Sequence, residues 1–225
     1  MVTILPRPAA PGSADAIRRP RQKRSQQRFE AILDSADRLL ETLEPAQISI
    51  YTLAEEAGLT PPSIYHFFPD AGQVFVALAE RYVREFVDLL GKPLPANVTT
   101  WQAFFAARYG HGRDHYNAHG AARRLLLGSG LSASIRARDL ENDSVLAERS
   151  MAEFCQLFAI APSADLVERF TELLVINDAI WTLSVHRYGT ITIAYDEQAR
   201  LAREAYARTF LPEVLPLRSP TEQAA

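Results

Sequence analysis

The sequence predicts an all-α protein with an N-terminal three-helix helix-turn-helix domain and a larger C-terminal helical domain. Residues 49–68 contain two short helical patterns joined by a glycine turn, and apolar residues elsewhere recur every three to four positions. No stretch of the larger part alternates convincingly between apolar and polar residues, as a half-buried strand would. The chain has 225 residues, 48% of them hydrophobic, which is enough for a core in each domain.

Composition and pattern divide the chain into four segments. Residues 1–24 form a basic arm, residues 25–72 the helix-turn-helix domain, residues 73–215 the larger helical domain and residues 216–225 a tail. Residues 1–28 contain seven basic side chains and one acidic side chain, a net charge of +6, although the whole chain has a net charge of −3. The proline-rich arm is too poor in apolar residues to fold by itself, so we expect it to be disordered.

One further helix is predicted on each side of the helix-turn-helix. Apolar residues recur at helical spacing over residues 28–43, and Pro45 ends that helix. A longer helix begins after Asp70, which is a plausible N-cap, and its apolar stripe runs over residues 74–89 up to Gly91. We expect this longer helix to join the two domains.

The helix-turn-helix itself is predicted from the residues that begin and end its helices. Ser49 is a good N-cap for the first helix, and Gly58 suits the left-handed position just after a helix end. Thr60 caps the second helix, and Pro61 and Pro62 fit its first turn, because that turn does not need their missing N–H groups. The chain therefore reverses sharply between two short helices.

The second helix of the motif has one apolar face and one mixed face. Its apolar residues are Ile64, Phe67 and Phe68. The small, hydroxyl and aromatic groups on the other side are Pro61, Pro62, Ser63, Tyr65 and His66. Such a surface, presented by the N-terminal half of a helix, fits the major groove of DNA.

These residues resemble a known family. The spacing of Ser49, Leu53-Ala54, Ala57-Gly58-Leu59, Thr60, Ser63-Ile64-Tyr65-His66 and Phe68-Pro69 is similar to the DNA-binding domain of the TetR family of bacterial transcriptional regulators. The similarity runs over about forty residues, from the preceding helix to the next one. The alternative is an ordinary helical corner that does not touch DNA.

The resemblance implies which residues contact a double-stranded DNA operator. Those near bases are Tyr51, Pro61, Pro62, Ser63 and Tyr65, and those near phosphates are Ser49, Thr60, Tyr65 and His66. Where the family usually has a lysine, this chain has Ala71. We expect the basic residues 18–24 to replace that phosphate contact or to enter the minor groove, unless the arm only increases solubility.

Five more helices are predicted in the larger domain, over residues 99–119, 121–127, 133–158, 163–187 and 195–210. Residues 190–194 are β-like and are interpreted as a connector. The resemblance implies that this domain binds a ligand and that its last two long helices pair with those of a second subunit, forming a homodimer. The apolar residues that permit this pairing are Leu173, Leu174, Ile176, Ile180, Leu183 and Val185.

Aromatic and polar residues of the larger domain predict a cavity for a small-molecule inducer. The candidate ligand-binding residues are Trp101, Phe105, Tyr109, His115, Tyr116, Arg123, Phe158, Asn177 and Trp181. An apolar cavity with a few polar groups is the usual site for a small hydrophobic or aromatic ligand, although core packing would explain most of these residues individually. Asn177 lies in a strongly apolar helix, where an unpaired amide costs about 1 to 3 kcal/mol, so it must bond a neighbour, a partner subunit or a ligand.

Three histidines suggest an alternative role. His111, His115 and His119 are four residues apart and share one helix face, so they could bind a zinc or nickel ion. Neighbouring glycines, including Gly110 and Gly120, weaken the helix, and we therefore expect neither a metal nor another cofactor. A bound metal would indicate a metal-responsive regulator or a metal-dependent hydrolase with a DNA-binding fold.

Other classes of protein find little support in the sequence. The chain has no nucleophile elbow, phosphate-binding glycine loop or dinucleotide fingerprint, so we do not expect an enzyme. The single cysteine, Cys155, excludes a disulfide framework, and the absence of a signal peptide or a long apolar run predicts a cytoplasmic protein without membrane contacts.

The residues and the resemblance together predict a ligand-responsive, sequence-specific transcriptional regulator. We expect a repressor that a small hydrophobic or aromatic inducer releases from its operator. The alternatives are a metal-responsive regulator and an architectural DNA binder without an inducer.

Overall fold

The computed structural model describes residues 17–128 and 133–219. Within these residues the chain forms nine α-helices and one short 3-10 helix, Pro45–Gln47. The α-helices are α1 (Lys23–Leu40), α2 (Ile50–Ala57), α3 (Pro61–Tyr65), α4 (Ala71–Leu90), α5 (Trp101–Ala118), α6 (Gly120–Leu126), α7 (Ala133–Leu157), α8 (Ala164–Tyr188) and α9 (Ile193–Ala207). The described residues contain no β-strand, only an isolated antiparallel bridge between Phe158 and Leu217, so the all-α prediction is confirmed.

The N-terminal helices pack around an apolar core. Because apolar residues recur along one face of α1, Ile32 and Leu33 are buried against Leu53 of α2 and Ile64 of α3. Aromatic rings close the core where α3 meets α1, and the ring centroids of Phe29 and Phe68 lie 4.8 Å apart. This core holds the two helices of the motif in one orientation.

The long helix α4 extends from this core into the larger domain. Near its start, Leu78 is buried in the N-terminal core, and further along, Phe86 lies on the wall of an internal cavity. The Tyr82 hydroxyl donates a hydrogen bond to the Asp37 carboxylate of α1, and burial raises the pKa of Tyr82. These contacts fix α4 on α1, so the helix connects the motif to the cavity.

Helix α6 makes a second connection between the larger domain and α1. The backbone N–H of Ala121 donates to the Glu41 carboxylate at 3.0 Å, and Arg124 donates to the backbone carbonyl of Leu40. A Cβ atom at Gly120 would overlap the Glu41 carboxylate, so glycine is what allows this close approach. The end of α1 is therefore held by the start of α6.

The larger domain has a second core, which is rich in aromatic rings and lies among α5, α7, α8 and the segment after α9. The rings of Phe105 and Phe154 are stacked with centroids 5.6 Å apart, and Phe170 meets both rings edge-on. The indole Nε1 of Trp101 donates to the backbone carbonyl of Pro212 at 2.9 Å. That bond attaches the C-terminal segment to the start of α5.

The observed helices differ from the predicted ones mainly at their ends. Helix α1 begins at Lys23, and α9 begins at Ile193 because Thr192 caps it with its side chain. Only residues 190–192 of the β-like stretch therefore form the connector. The side chain of Asn117 holds it by bonding both the N–H and the carbonyl of Ile191, each at 2.9 Å. A side chain from a distant helix leaves no signal in the local pattern.

The predicted arm and tail lie partly outside the described residues, namely residues 1–16 and 220–225. In the described part of the arm, the backbone N–H of Arg18 donates to the carbonyl of Phe67 at 3.0 Å. The segment boundaries and the disorder of the arm remain predictions.

Candidate nucleic-acid interface and internal cavity

The turn between α2 and α3 is fixed by hydrogen bonds and by one glycine. Ser49 Oγ accepts from the Thr52 N–H at 3.2 Å, while Thr52 Oγ1 accepts from the Ser49 N–H at 2.7 Å, which closes a capping box. Gly58 has a φ of 62°, in the left-handed region that penalises a Cβ atom. The Leu59 N–H then bonds the Ala54 carbonyl at 2.9 Å, as in a Schellman motif.

All eight candidate DNA-binding residues lie at or near the surface of this unit. The exposed ones are Ser49, Tyr51, Thr60, Pro62, Tyr65 and His66, and the half-buried ones are Pro61 and Ser63. Tyr51 is 69% exposed and Tyr65 is 49% exposed, which is unusual for large aromatic side chains without a partner. The Thr60 and Ser63 hydroxyls lie 2.9 Å apart at the start of α3. This surface combines hydrogen-bonding groups with apolar rings.

The start of α4 does not supply the basic side chain that is usual in the TetR family. Asp70 caps this helix by accepting from the Gln73 N–H at 2.9 Å, and Ala71 is its first residue. A Cβ atom at Gly72 would lie 3.0 Å from the Asp70 carboxylate, so glycine leaves room for the cap. A DNA phosphate near the start of α4 would therefore need a basic side chain from another segment of the chain.

Basic side chains do occur before α1 and in its first turns. Arg19 forms an ion pair with Glu80 of α4, which neutralises it. Arg18, Arg21, Lys23 and Arg24 are exposed. These cations are the described candidates for phosphate contacts.

An internal cavity lies between α4, α5, α6, α7 and α8. The volume of the cavity is about 90 Å³, and all the space free of protein atoms, including the open mouth, is about 850 Å³. The cavity is therefore narrow. Its aromatic lining residues are Phe86, Tyr109, Tyr116, Phe170 and Trp181. Apolar walls with several polar groups are typical of a small-molecule site.

A buried polar network forms one part of the wall. The Arg203 guanidinium, from α9, lies 3.9 Å from the ring centroid of Tyr109 and donates to Asn177 Oδ1. The Asn177 amide nitrogen donates to the Asp178 carboxylate at 3.0 Å. Burial lowers the pKa of Arg203 and raises that of Tyr109. Asn177 thus finds its partners within the subunit.

Four of the nine candidate ligand-binding residues line the cavity, namely Tyr109, Tyr116, Asn177 and Trp181. Three others, Trp101, Phe105 and Phe158, pack in the second core instead. Helical spacing shows that a side chain faces inward, but it does not show which of two cores the side chain enters.

The last two candidates lie outside the cavity lining. Arg123 donates to the backbone carbonyl of Tyr116 at 2.7 Å, where it closes the end of α5. His115 packs against Phe86 with ring centroids 4.9 Å apart, and its Nε2 is 3.4 Å from the Glu85 carboxylate. Burial lowers the pKa of His115 to about 4.

The three histidines do not converge on one point. The rings of His115 and His119 stack with centroids 4.2 Å apart, whereas His111 lines the cavity. Across residues 17–128 and 133–219, no group of three or more side chains could hold a metal ion. The geometry therefore does not favour the metal-responsive alternative.

The chain is similar to known proteins in both sequence and structure. The helix-turn-helix type regulator EthR of Mycolicibacterium smegmatis is 38% identical over 77 residues, which cover 32% of this chain and 36% of that protein. The match thus spans about a third of the length of this curated relative. A TetR-family regulator from Streptomyces coelicolor superposes with a TM-score of 0.61 at 22% identity, over 83% of this chain and 99% of that one.

A third similar protein is SmeT of Stenotrophomonas maltophilia, solved as a complex with triclosan. It superposes with a TM-score of 0.53 at 17% identity, over 87% of this chain and 100% of that one. The chain has the fold of these TetR-family structures. No family model matches its sequence.

The proteins to which the chain is similar here are transcriptional regulators. The motif that carried the resemblance occupies α2 and α3, and α4 joins it to the larger helical domain. None of the described helices is long and apolar enough to cross a membrane.

The structure also places residues in the cavity that the sequence did not single out for it. His111, one of the three candidate metal-ligating histidines, lines the cavity together with Asn142 and Asp143 of α7. A signal existed, because Asn142, Asp143, Leu146, Ala147 and Ser150 share one face of α7 at helical spacing. The polar residues around that face obscure its helical spacing in the sequence.

Proposed function

We propose that this protein is a homodimeric transcriptional repressor that binds a near-palindromic operator and is released by a small hydrophobic or aromatic inducer. The observation that carries the proposal is the course of α4, which runs from the core of the helix-turn-helix to the wall of the cavity. The motif would place α3 in the major groove, with Tyr65 and Ser63 directed to base edges. Two such units bind two half-sites about 34 Å apart.

The cavity supports the second part of the proposal. Phe86 of α4 and Leu126 of α6 both line it, and these two helices also contact α1. A ligand that fits only one arrangement of α4 and α6 stabilises that arrangement and shifts the population toward it. Release from DNA follows if that arrangement has the wrong spacing between recognition helices. SmeT, which is described as the repressor of a multidrug efflux pump and is solved with triclosan, has the same fold.

The outer surface of α8 and α9 supports the dimer. Leu183 of α8 is 47% exposed and Leu201 of α9 is 48% exposed, and small residues such as Ala179 and Ala194 are exposed on the same two helices. Of the six apolar residues predicted for pairing, Leu173 is instead buried in the second core and Leu174 lines the cavity. An apolar face on two adjacent antiparallel helices fits a four-helix bundle with a second copy.

Fluorescence anisotropy tests DNA binding directly. Labelled DNA from upstream of the protein's own gene is compared with scrambled DNA at matched salt, and we expect a preference of about 4 kcal/mol or more for the upstream DNA. Tyr65→Ala should weaken specific binding by about 1 to 3 kcal/mol without changing the helical content, because Tyr65 is exposed and is not part of the buried core. Leu59→Ala, in the same turn, is a control for changes in packing.

Equal binding to both DNAs, lost with added salt, would contradict sequence-specific regulation and indicate an architectural binder. Normal operator binding by Tyr65→Ala would contradict the assignment of α3 as the recognition helix.

A further inference from the structure

Three polar nitrogen atoms on the cavity wall lack a hydrogen-bond partner among the described residues. They are Nε1 of Trp181, Nδ2 of Asn142 and Nδ1 of His111. Each atom is buried, and the three side chains come from α8, α7 and α5, so they reach the cavity from different directions. Buried polar groups in folded proteins are normally hydrogen-bonded, so such a concentration around one cavity calls for an explanation.

The chemistry of these atoms restricts the group that can satisfy them. An indole Nε1 and an amide Nδ2 only donate hydrogen bonds, and a histidine Nδ1 donates in one of its two neutral tautomers. The complementary group is an acceptor, such as a carbonyl or ether oxygen. An alkyl group in the same place would leave the donors unsatisfied.

Two other polar side chains of the wall, Arg108 and Asn177, have hydrogen-bond partners. The Arg108 guanidinium is engaged by both carboxylate oxygens of Glu153 and by the Lys92 carbonyl at 2.8 Å. Asn177 is held by Arg203 and Asp178, as described above. The nitrogen atoms of Trp181, Asn142 and His111 differ from these two side chains in having no partner in the described part of the chain.

Charge on the wall argues against an anionic ligand. Asp143 and Asp178 both line the cavity, and the positive charge of Arg108 is balanced by Glu153. The Arg203 guanidinium interacts with Asp178 but does not itself line the cavity, so acidic side chains predominate on the wall. A carboxylate placed beside the two aspartates would lose hydration and meet charges of its own sign. An uncharged ligand avoids both costs.

We propose that the cavity binds an uncharged, mainly apolar effector that carries an acceptor oxygen, which receives hydrogen bonds from Trp181 and Asn142, with His111 beside them. The inference rests on the proposed function only in treating this cavity as the effector site. It names the class of effector: aromatic or aliphatic ketones, esters and ethers rather than hydrocarbons or carboxylic acids.

Three small probes separate these classes. Acetophenone carries a carbonyl oxygen, cumene replaces that oxygen by a methyl group on a similar skeleton, and benzoate carries a negative charge. Each is titrated into protein labelled with ¹⁵N at tryptophan, without DNA, and the indole N–H resonances are followed. The chain has two tryptophans, and Trp101 is an internal control, because its Nε1 already donates to Pro212.

We expect acetophenone to bind about tenfold more tightly than cumene or benzoate. It should move the Trp181 indole proton downfield and leave that of Trp101 in place. In Trp181→Phe, which also assigns the resonance, the ratio of acetophenone to cumene affinity should fall to about threefold or less. The change in cavity size in this variant affects acetophenone and cumene alike, so the ratio of their affinities reports the hydrogen bond alone.

Several results would overturn the proposal. They are equal or tighter binding of cumene, tighter binding of benzoate, an unmoved Trp181 resonance in the acetophenone complex, or no binding of acetophenone at millimolar concentration. The titration is carried out without DNA, so its results do not depend on whether the protein binds an operator. A negative result in the anisotropy experiment likewise leaves the titration unaffected. The two proposals can therefore fail separately.

Discussion

Helix α5 contains two glycines in its interior, Gly110 and Gly112, and they allow a matched test of the cavity. Neither has a positive φ, so alanine fits the backbone at both positions. A Cβ atom at Gly110 would meet nothing within 4 Å, whereas one at Gly112 would lie 3.7 Å from the indole ring of Trp181. Gly112 lines the cavity and Gly110 does not.

The two substitutions should differ in a predictable way. Replacing a glycine in a helix interior by alanine stabilises the fold by about 0.5 to 1 kcal/mol, which we expect for Gly110→Ala. Gly112→Ala adds a buried methyl group in van der Waals contact with Trp181, worth up to about 0.8 kcal/mol more. For a chain of this size, each kcal/mol raises Tm by about 2 to 4 °C. Gly112→Ala should therefore be the more stable variant, but it also narrows the cavity.

The assay combines unfolding in urea, followed by circular dichroism, with the acetophenone titration. We expect Gly112→Ala to raise the unfolding free energy and to weaken acetophenone binding by about tenfold, since its methyl group occupies space beside Trp181. Gly110→Ala should raise the unfolding free energy and leave the affinity unchanged. If Gly112→Ala were less stable than the original protein while Gly110→Ala was more stable, the space beside Trp181 would not exist as described. Unchanged affinity in Gly112→Ala would place the ligand elsewhere.

Three further predictions concern the pH dependence of stability, the contact between domains and the dimer. Burial places the pKa of His115 at about 4 in the folded protein, below the usual value of about 6.5, so its stabilising contribution is present above pH 6.5 and is lost as the pH falls toward 4. The unfolding free energy should fall by up to about 3 kcal/mol over that interval, and the nearby Glu85 carboxylate should reduce this loss. In His115→Gln the unfolding free energy should fall less over the same interval than in the original protein. Gly120→Ala displaces the Glu41 carboxylate and so weakens the contact between α6 and α1. Acetophenone should still bind this variant, but it should change the DNA affinity measured by anisotropy less than in the original protein. An unchanged effect on DNA affinity would mean that the cavity and the helix-turn-helix are not coupled through α6. Leu183→Asp should halve the molar mass in light scattering, and a persistent dimer would locate the interface outside α8.

The helix-turn-helix could be predicted closely because its signals are local. Ser49, Gly58 and the two prolines of α3 each fix a backbone conformation within a few residues, and no distant contact is needed to interpret them. The same holds for the cap at Asp70, whereas the pattern placed the start of α9 too late and did not identify Thr192 as its cap. Short-range physics is sufficient for such elements.

The cavity was predicted less completely because it depends on how helices from distant parts of the chain meet. Tyr109 and Trp101 look equivalent in sequence, since both are aromatic and on the buried side of α5, yet only Tyr109 reaches the cavity. Asn142 lies in a mostly polar helix, where an amide has no distinguishing neighbour. Its importance appears only when Trp181 and His111 are seen to share the same space with it.

The N-terminal core does not stop at the helix-turn-helix. The cluster of buried side chains that contains Phe29 and Ile64 continues through α4 to Tyr116 and Trp181. A fragment cut after Leu90 would expose the apolar side of α4 to water, and we expect it to aggregate rather than to fold as a separate DNA-binding module. If a ligand binds at Trp181, as proposed, we expect it also to protect the helix-turn-helix against unfolding and proteolysis, because both contribute to one continuous cluster of buried side chains.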